Sequence, residues 1–385
     1  MSAITELKST ARQDRDLVEV ARRLGEQFSA RATHFDDSDE FVADNYVDLR
    51  EAGLIEAGVP REFGGGGHDV AELAAMLREL ARHCSSTALA FSMHTHQIAV
   101  AAWRWVHQKA APVEPLLKRI ATERIILLSS GGSDWIAGSG TAEKVDGGFR
   151  ITARKIFSSG APIGSLLMTS AVWEGDGSGP QVLHFGIPMN SPQVKIVPVW
   201  KAMGMRGTGS HDILIDGHVV PDAGVALKRK AGEWHPLFQI IATIAFPLVY
   251  AAYLGVAESA RDIAIAMAKK RRPDSHVTTL VGQMDTELRG AQMAHRAMVA
   301  TAMENKPGAE SINEVMIGRT LVARHAIAAV ELAMEAAGGA GFYRAAGLER
   351  RFRDIQGARY HPLQSGPQAA YAGSMALGLP IDRVF

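Results

Sequence analysis

The sequence predicts an α+β protein in which an N-terminal helical part, a central part of β-strands and a C-terminal helical part follow one another. Near the start of the chain, apolar residues recur at three- and four-residue spacing, which is the period of an α-helix. Short apolar segments punctuated by glycine and proline fill the middle, and a long helical pattern returns near the end. We therefore expect a helical domain at residues 1–124, a β-barrel domain at 125–228 and a helical domain at 229–385.

Length and composition limit the class of protein. The 385 residues are enough for two or three domains with a large buried core. Lysine plus arginine and aspartate plus glutamate number 41 each, so we expect neither nucleic acid nor an anionic membrane as a partner. Cys84 is the only cysteine, and the chain begins without an apolar signal-peptide core. A cytoplasmic location is therefore the default expectation.

The N-terminal part is predicted to be helical. Apolar residues between positions 17 and 28 share one helix face. Asp69, with Glu72 three residues later, precedes a second apolar pattern, which is typical of a capping box. The four glycines at 64–67 predict a loop, and because no Gly-Lys-Ser/Thr follows them, a phosphate-binding loop is not indicated.

Strand signals begin near residue 125. Asp146-Gly147-Gly148, between two short apolar segments, is typical of a β-hairpin. Glycines and prolines separate the segments at the spacing of short strands, which favours a compact, barrel-like domain. The predicted strand segments are 125–128, 142–145, 149–152, 182–187 and 212–215.

One C-terminal segment, residues 237–257, is nearly all apolar and close to the length of a membrane span. A helix that is apolar all round also suits the centre of a large helical core. Pro247 interrupts the segment, Glu258 follows it, and the chain has neither a second span nor flanking aromatic and basic anchors. We therefore expect a buried core helix and no membrane contact. A later helical pattern ends at Gly338-Gly339, which provide a helix stop.

Five short motifs stand in order between residues 50 and 365. They are Gly53-Leu54 with Phe63-Gly64-Gly65, Gly132-Ser133-Asp134, Lys155-Ile156-Phe157-Ser158-Ser159, Gly204-Met205-Arg206-Gly207-Thr208, and Arg353-Asp354 after the Gly338-Gly339 turn. In this order they resemble the acyl-CoA dehydrogenase superfamily of flavoproteins. The resemblance implies an N-terminal α-helical domain, a central β-barrel and a C-terminal four-helix bundle, assembled as a homotetramer.

The resemblance also implies a flavin cofactor, either FAD or FMN. A flavin ring needs hydrogen-bonding groups along its pyrimidine edge and an apolar wall behind it. Ser158 and Ser159 would serve the polar edge and Phe157 the wall, whereas the alternative for the serines is an ordinary place at a strand end. The other residues that the resemblance assigns to the cofactor are Ser129 and Ser130, where the family often has a threonine, Arg271, Gly338 and Gly339.

The cofactor segment at Arg271 departs from the family. Arg271 and Arg272 keep the arginines that grip the cofactor diphosphate of a neighbouring subunit, but the Phe-Gly of the family segment is missing. Tight retention of FAD is therefore not implied, and reduced flavin supplied by a flavin reductase is an alternative.

The catalytic glutamate of the dehydrogenases is missing as well. Its two possible positions correspond to Pro362 and Ala245, and α,β-dehydrogenation of an acyl-CoA thioester needs a carboxylate that removes the α-proton. Monooxygenases related to dibenzothiophene monooxygenase form a branch of the superfamily that also lacks the glutamate. That branch has a histidine at the position of His361 and a hydroxyl residue in the segment of Ser159, and these groups help to hold a flavin C4a-peroxide.

The resemblance therefore favours a monooxygenase that acts on a small organic substrate, with His361 and Ser159 as catalytic residues. The first alternative is an acyl-CoA dehydrogenase with an unrecognised base. The second is an inactive relative that serves as a scaffold. For His361 itself, the alternative is a histidine at a helix surface or interface.

His94 and His96 form a His-x-His pair. On a strand this spacing would supply two metal ligands, but on a helix the two side chains point apart. The surrounding pattern is helical and no Asp, Glu or Cys cluster completes a site, so we expect no metal. In the superfamily this helix borders the substrate cavity, which implies that one of the two histidines lines the substrate pocket.

Overall fold

The computed structural model describes residues 16–130, 136–175, 177, 179–270 and 274–381. Helices come first, strands follow and helices return. The first helices are α1 (Leu17–Ser38), α2 (Ala43–Glu51), α3 (Val70–His83), α4 (Ser85–Gln108) and α5 (Glu114–Glu123). The strands are β1 (Leu127–Ser129), β2 (Thr141–Val145), β3 (Gly148–Ser158), β4 (Leu166–Trp173), β5 (Gln181–Pro188), β6 (Val194–Val197), β7 (His211–Pro221) and β8 (Val225–Lys230). The last helices are α6 (Leu237–Lys270), α7 (Ser275–Met303), α8 (Ala309–Ala337), α9 (Leu348–Ile355) and α10 (Ser365–Leu377).

The predicted capping box opens α3. The Asp69 carboxylate accepts a hydrogen bond of 2.9 Å from the backbone N–H of Glu72, and the Glu72 carboxylate accepts one of 3.0 Å from the backbone N–H of Asp69. Both side chains therefore satisfy N–H groups that a helix start leaves without a partner. Asp16 caps α1 in a similar way, with a bond of 2.9 Å from the N–H of Val18.

The strands form one sheet, but the sheet is open and the predicted barrel is wrong. Its strand order is β6-β7-β3-β2-β4-β5-β8, and β1 pairs with β4. Strands β6 and β8 lie at opposite ends of this order, whereas a barrel requires the end strands to pair. Strands β2 and β4 share a single residue pair, Thr141 with Val172. One buried apolar cluster draws on both sides of this junction, with Ile151 and Ile213 on one side and Leu167 and Phe185 on the other.

The predicted hairpin joins β2 and β3 through Asp146 and Gly147. Val145 pairs with Gly148, and Gly147 has a φ of 71°, a conformation that glycine adopts without strain. At the other end of β3, the pairing with β7 becomes irregular between Lys155 and Ser158. The side chain of Phe157 is 46% exposed at this irregularity. The end of β3 therefore presents an aromatic ring at the surface.

Helix α6 is the core helix of the C-terminal part, as the sequence predicts. It is the one helix among the described residues that is long and apolar enough to cross a membrane, and 94% of its most apolar 18-residue window is buried inside the protein. Helices α7 and α8 pack against it in a shared apolar cluster. Helix α8 ends at Ala337, and the following Gly338 has a φ of 63° and a ψ of −160°, a combination that essentially only glycine adopts.

The Arg353-Asp354 step of α9 joins the three parts of the chain. Arg353 forms a salt bridge of 2.5 Å with Asp36 of α1, and its guanidinium also donates to the backbone carbonyl of Met203 at 3.0 Å. Asp354 accepts a hydrogen bond from the hydroxyl of Ser85, at the start of α4. This step therefore fixes the orientation of the segment that leads to His361.

Candidate active site

His361 lies between the 3-10 turn Gln356–Arg359 and α10. Its Nε2 is 2.6 Å from the hydroxyl oxygen of Tyr253, a fully buried residue of α6. Its backbone carbonyl accepts a hydrogen bond of 2.8 Å from Nη2 of Arg319 on α8. Helix α6 therefore holds the ring of His361, and helix α8 holds its backbone.

The imidazole of His361 is neutral at physiological pH. Burial, the charge of Arg319 and the nearby ring of His96 lower the pKa of His361 to about 4. Burial also raises the pKa of Tyr253 well above its usual value, so that hydroxyl keeps its proton. Among the described residues, Nε2 of His361 is the one hydrogen-bond partner of this hydroxyl. We infer that Tyr253 donates to Nε2, because its proton has no other acceptor in that part of the chain, and that the one proton of the neutral ring lies on Nδ1.

Ser159 starts a chain of three hydroxyl groups. Its Oγ is 2.8 Å from Oγ of Ser210, which is 2.7 Å from Oγ1 of Thr208. Thr208 donates to the carbonyl oxygen of Met205 at 2.9 Å. Because each hydroxyl has one proton, Ser210 must donate to Thr208 and Ser159 must donate to Ser210. Ser159 can therefore only accept a hydrogen bond from a further partner.

Met205 links this hydroxyl chain to Asp354 of α9. The backbone N–H of Met205 donates to Oδ1 of Asp354 at 2.5 Å. Burial raises the pKa of Asp354, and the charge of Asp354 contributes to the raised pKa of Tyr253. Hydrogen bonds thus run from Ser159 to Asp354, and Asp354 acts on Tyr253 through its charge alone.

His94 is committed to the fold. It is 1% exposed, its Nδ1 accepts from the backbone N–H of Leu127 at 3.0 Å, and its Nε2 donates to the carbonyl oxygen of Ile55 at 3.0 Å. Burial lowers the pKa of His94 to about 4. Both ring nitrogens therefore bind backbone groups, and the ring ties α4 to β1.

His96 lies on a different face of α4. Leu89 and Met93 of this face pack into the apolar cluster that contains Tyr253, and His96 follows Met93 by three residues. Its Nδ1 donates to the carbonyl oxygen of Ser92 at 3.0 Å, so Nε2 is left as an acceptor. Burial lowers the pKa of His96 to about 4, and the ring is therefore neutral at physiological pH.

The residues at the end of β3 divide between the surface and the interior. The ring of Phe157 packs against Trp200 with a centroid distance of 5.1 Å. Ser158 is fully buried, and its hydroxyl has no hydrogen-bond partner among the residues that the structure describes. Phe157 is 46% exposed, and Ser159, the first residue after β3, is half-buried. Of the three predicted cofactor residues in this segment, Phe157 and Ser159 are the ones whose side chains we propose to contact the cofactor.

The remaining predicted cofactor residues lie in separate places. Ser130 binds Oγ1 of Thr169 at 2.7 Å, and Ser129 is the last residue of β1. Gly338 and Gly339 lie in the turn after α8, and a Cβ added to Gly339 would meet nothing within 4 Å. Arg271 and the Gly132-Ser133-Asp134 motif lie outside the described residues.

Each buried carboxylate among the described residues already has a partner. Pro362 follows His361 directly, and Ala245 is buried in α6, so neither glutamate position carries an acid. Although burial alone would raise the pKa of Glu258, its bonds to Arg78 and Gln292 and the charge of Arg82 lower it. The buried carboxylates and their partners are Asp36 with Arg353, Glu56 with Arg124, Asp212 with Arg154, Glu258 with Arg78 and Arg82, and Asp354 with Ser85 and Met205.

Four residues that build this site received no predicted role from the sequence: Ser210, Thr208, Tyr253 and Arg319. Two of them left a signal. Arg319 stands at a core-facing position of an otherwise apolar helical pattern, and Tyr253 brings a hydroxyl into the apolar segment of α6. A polar group at such a position needs a buried partner, but the sequence does not show which one.

The comparison with protein families decides the identity of the fold. Residues 11–118 match the acyl-CoA dehydrogenase N-terminal domain, and residues 248–365 match the acyl-CoA dehydrogenase C-terminal domain. The chain belongs to the acyl-CoA dehydrogenase family. The resemblance predicted from the order of the five motifs is thereby confirmed.

Curated relatives of this family member carry the names of both oxygenating and dehydrogenating enzymes. Amino sugar nitrososynthase DnmZ of Streptomyces peucetius is 25% identical, with 86% of this chain and 85% of the relative covered. Dibenzothiophene monooxygenase of Rhodococcus erythropolis is 29% identical over 74% of this chain and 72% of the relative. Putative acyl-CoA dehydrogenase YdbM of Bacillus subtilis is 27% identical over 91% of this chain and 93% of the relative.

Solved structures of the family share the architecture. KijD3, solved in complex with FMN and dTDP-3-amino-2,3,6-trideoxy-4-keto-3-methyl-D-glucose, superposes with a TM-score of 0.86 at 25% identity and covers 94% of this chain and 93% of its own. The predicted relation to flavin-dependent oxidoreductases, including dibenzothiophene monooxygenase, is confirmed by these relatives.

Proposed function

We propose that this acyl-CoA dehydrogenase family member is a flavin-dependent monooxygenase acting on a small organic substrate. The observation that carries the proposal is the state of His361, which lies next to the position of the missing glutamate. Its ring is neutral, its Nε2 is bound by Tyr253, and its proton lies on Nδ1. A hydrogen-bond donor thus replaces the proton-abstracting carboxylate that dehydrogenation requires.

The residues at the end of β3 fit a flavin. Phe157 and Trp200 form an exposed aromatic pair with a centroid distance of 5.1 Å, which would serve as the apolar wall. Ser159 has only acceptor capacity left and would take a hydrogen bond from an N–H group of the flavin ring. A bound reduced flavin would supply the electrons that activate dioxygen. Ser130 and the Gly338-Gly339 turn stay in the proposed cofactor set.

We propose opposite hydrogen-bonding roles for His361, a donor, and His96, an acceptor. His361 would donate from Nδ1 to the negatively charged oxygen that forms during the reaction, which stabilises that charge away from water. His96 would accept, through Nε2, a hydrogen bond from an O–H or N–H group of the substrate. His94 has no nitrogen left for either role.

The second candidate is an acyl-CoA dehydrogenase, and the relative named putative acyl-CoA dehydrogenase YdbM favours it. Dehydrogenation needs a carboxylate that is free to take a proton. The buried carboxylates of the described residues are bound to arginines or to hydrogen-bond donors. The absence of an unpaired buried carboxylate among the described residues supports the monooxygenase.

We also infer the supply of flavin and the assembly. The flavin is FMN or FAD, delivered in reduced form by a flavin reductase in the cytoplasm. The C-terminal helices form a four-helix bundle. They also form the contact surface of a homotetramer, because the apolar side chain of Met293 on α7 is 62% exposed. Light scattering on the purified protein tests the tetramer.

The decisive experiment supplies reduced flavin and oxygen. We expect equilibrium dialysis to detect binding of FMN or FAD, and reactions under ¹⁸O₂ with heteroatom-containing compounds to place one ¹⁸O atom in the product. Simple acyl-CoA thioesters should fail to reduce the bound flavin without oxygen, since losing a positioned base costs roughly a hundred- to ten-thousand-fold. Rapid anaerobic reduction by an acyl-CoA would assign the protein to the dehydrogenases, and failure to bind either flavin in either redox state would refute both candidates.

A further inference from the structure

Arg319 is a buried cation without a counter-charge. Its side chain is 2% exposed, and its guanidinium forms no ion pair with any described residue. Nε also has no hydrogen-bond partner in that part of the chain. Burying a charge without a partner is costly, so the contacts that Arg319 does make must account for its place.

The guanidinium of Arg319 donates to backbone carbonyls around His361. Nη2 donates to the carbonyl oxygen of Ala358 at 3.1 Å and to that of His361 at 2.8 Å, and it lies 3.5 Å from the carbonyl oxygen of Arg359. These carbonyls belong to a short connection that makes no helix or strand beyond one 3-10 turn. One side chain of α8 therefore fixes a segment that has little regular structure of its own.

Helix α6 supports the same segment from the other side. Tyr250 donates to the carbonyl oxygen of Ala358 at 2.8 Å, and its ring lies under the guanidinium of Arg319 at 5.2 Å. One turn further along the helix, Tyr253 binds Nε2 of His361. The backbone of the segment and the histidine ring are thus held by two neighbouring helices.

We propose that Arg319 and Tyr253 are positioning residues, which hold His361 so that its Nδ1–H group faces the reaction site. Arg319 fixes the backbone, and Tyr253 fixes the ring and its tautomer. The role of this orientation in catalysis rests on the proposed monooxygenase function, but the contacts that hold the backbone and the ring do not.

The charges around His361 agree with this division of roles. Arg319 on α8 and His96 on α4 face the ring and oppose a second proton on it, and Tyr250 and Tyr253 on α6 stay neutral because burial raises the pKa of each. Asp354 acts on Tyr253 from α9. A neutral imidazole carries one proton, on either Nδ1 or Nε2, and the Tyr253 hydroxyl decides between these two positions.

The first test measures the tautomer directly, without flavin. Protein labelled with ¹⁵N-histidine gives separate NMR signals for Nδ1 and Nε2, and His361→Gln identifies the pair by its disappearance. We expect the wild type to carry the proton on Nδ1, and Tyr253→Phe to show both tautomers. A wild-type proton on Nε2, or a tautomer that Tyr253→Phe leaves unchanged, would overturn the role of Tyr253.

The second test measures how firmly the segment is held. In Arg319→Met, amide hydrogen exchange of peptides that cover residues 356–364 should be about tenfold faster, the change expected for one lost hydrogen bond to a charged group. Thr320→Val is the matched control, because it removes another buried bond of α8, that of Thr320 to Gln368 at 2.9 Å. The control should leave this segment unchanged.

Equal exchange in Arg319→Met and in the control would overturn the role of Arg319. If Arg319→Met does not fold, Arg319→Lys decides, because lysine keeps the charge but cannot span the same carbonyls. Faster exchange in Arg319→Lys supports the proposal, and unchanged exchange refutes it. Because both tests use the flavin-free protein, a failure to bind flavin would refute the proposed function while leaving these results valid.

Discussion

His94 and His361 are both neutral histidines whose pKa burial lowers to about 4, yet the two regions use them differently. At His94 the two ring nitrogens are taken up by the backbone of Ile55 and Leu127. At His361 one nitrogen is held by Tyr253, and Nδ1 has no acceptor among the described residues. A perturbed pKa therefore does not separate a structural histidine from a functional one. In the structural histidine both ring nitrogens are bound by the backbone, whereas the functional histidine keeps one nitrogen available for another partner.

The largest expected effect lies on the structural side of this comparison. His94→Ala removes a buried ring and leaves the N–H of Leu127 and the carbonyl of Ile55 without partners. We expect the free energy of unfolding to fall by about 3 kcal/mol, measured by urea denaturation. A loss below that of an ordinary surface substitution would contradict the structural assignment of His94.

His361→Ala should affect the reaction more than the fold. The lost hydrogen bond to a negatively charged oxygen costs about 1.5 to 3 kcal/mol, so more of the consumed oxygen should appear as hydrogen peroxide and less in the product. An assay of peroxide against product measures this, and flavin affinity should change little. An unchanged ratio would return His361 to the alternative of a surface or interface histidine.

The pH dependence of stability follows from the lowered pKa values. An unfolded histidine binds a proton near pH 6.5, but folded His361 binds it only near pH 4. Between these values the unfolded state binds more protons, so stability rises with pH by at most about 1.4 kcal/mol per pH unit for each such histidine. His361→Gln should reduce the slope of unfolding free energy between pH 4.5 and pH 6, relative to the wild type, and an equal slope would contradict the lowered pKa of His361.

The smallest effect concerns Ser159. Ser159→Ala removes one acceptor and should divert oxygen in the same direction as His361→Ala, by about 1 kcal/mol. Because we propose that both groups act at the same flavin, the double mutant should be less than additive. Additive losses would indicate two independent sites.

Ser158→Ala is the matched control for Ser159→Ala. The Ser158 side chain is fully buried, whereas Ser159 is half-buried. We expect Ser158→Ala to leave the peroxide fraction unchanged. If both substitutions changed the peroxide fraction equally, the cause would be a change in the strand and not the loss of the Ser159 hydroxyl.

Local sequence determined the elements of this protein and its family. The capping box at Asp69, the hairpin at Asp146-Gly147 and the buried helix α6 each depend on residues that are close together in the chain, so their patterns predict them. The motifs also identified the family, the missing glutamate and the histidine at position 361, because each is a matter of which residue stands at a position.

Only the tertiary structure decided the sheet topology and the chemistry of His361. Whether β6 and β8 pair depends on the path of the whole domain, and the expected barrel proved to be an open sheet. The inward direction of Ser158 depends on the phase of β3 against β7. The tautomer of His361 depends on Tyr253, which is 108 residues away along the chain. Such contacts arise from the packing of helices whose separate sequences carry no record of their partner, so they appear only when the chain is folded.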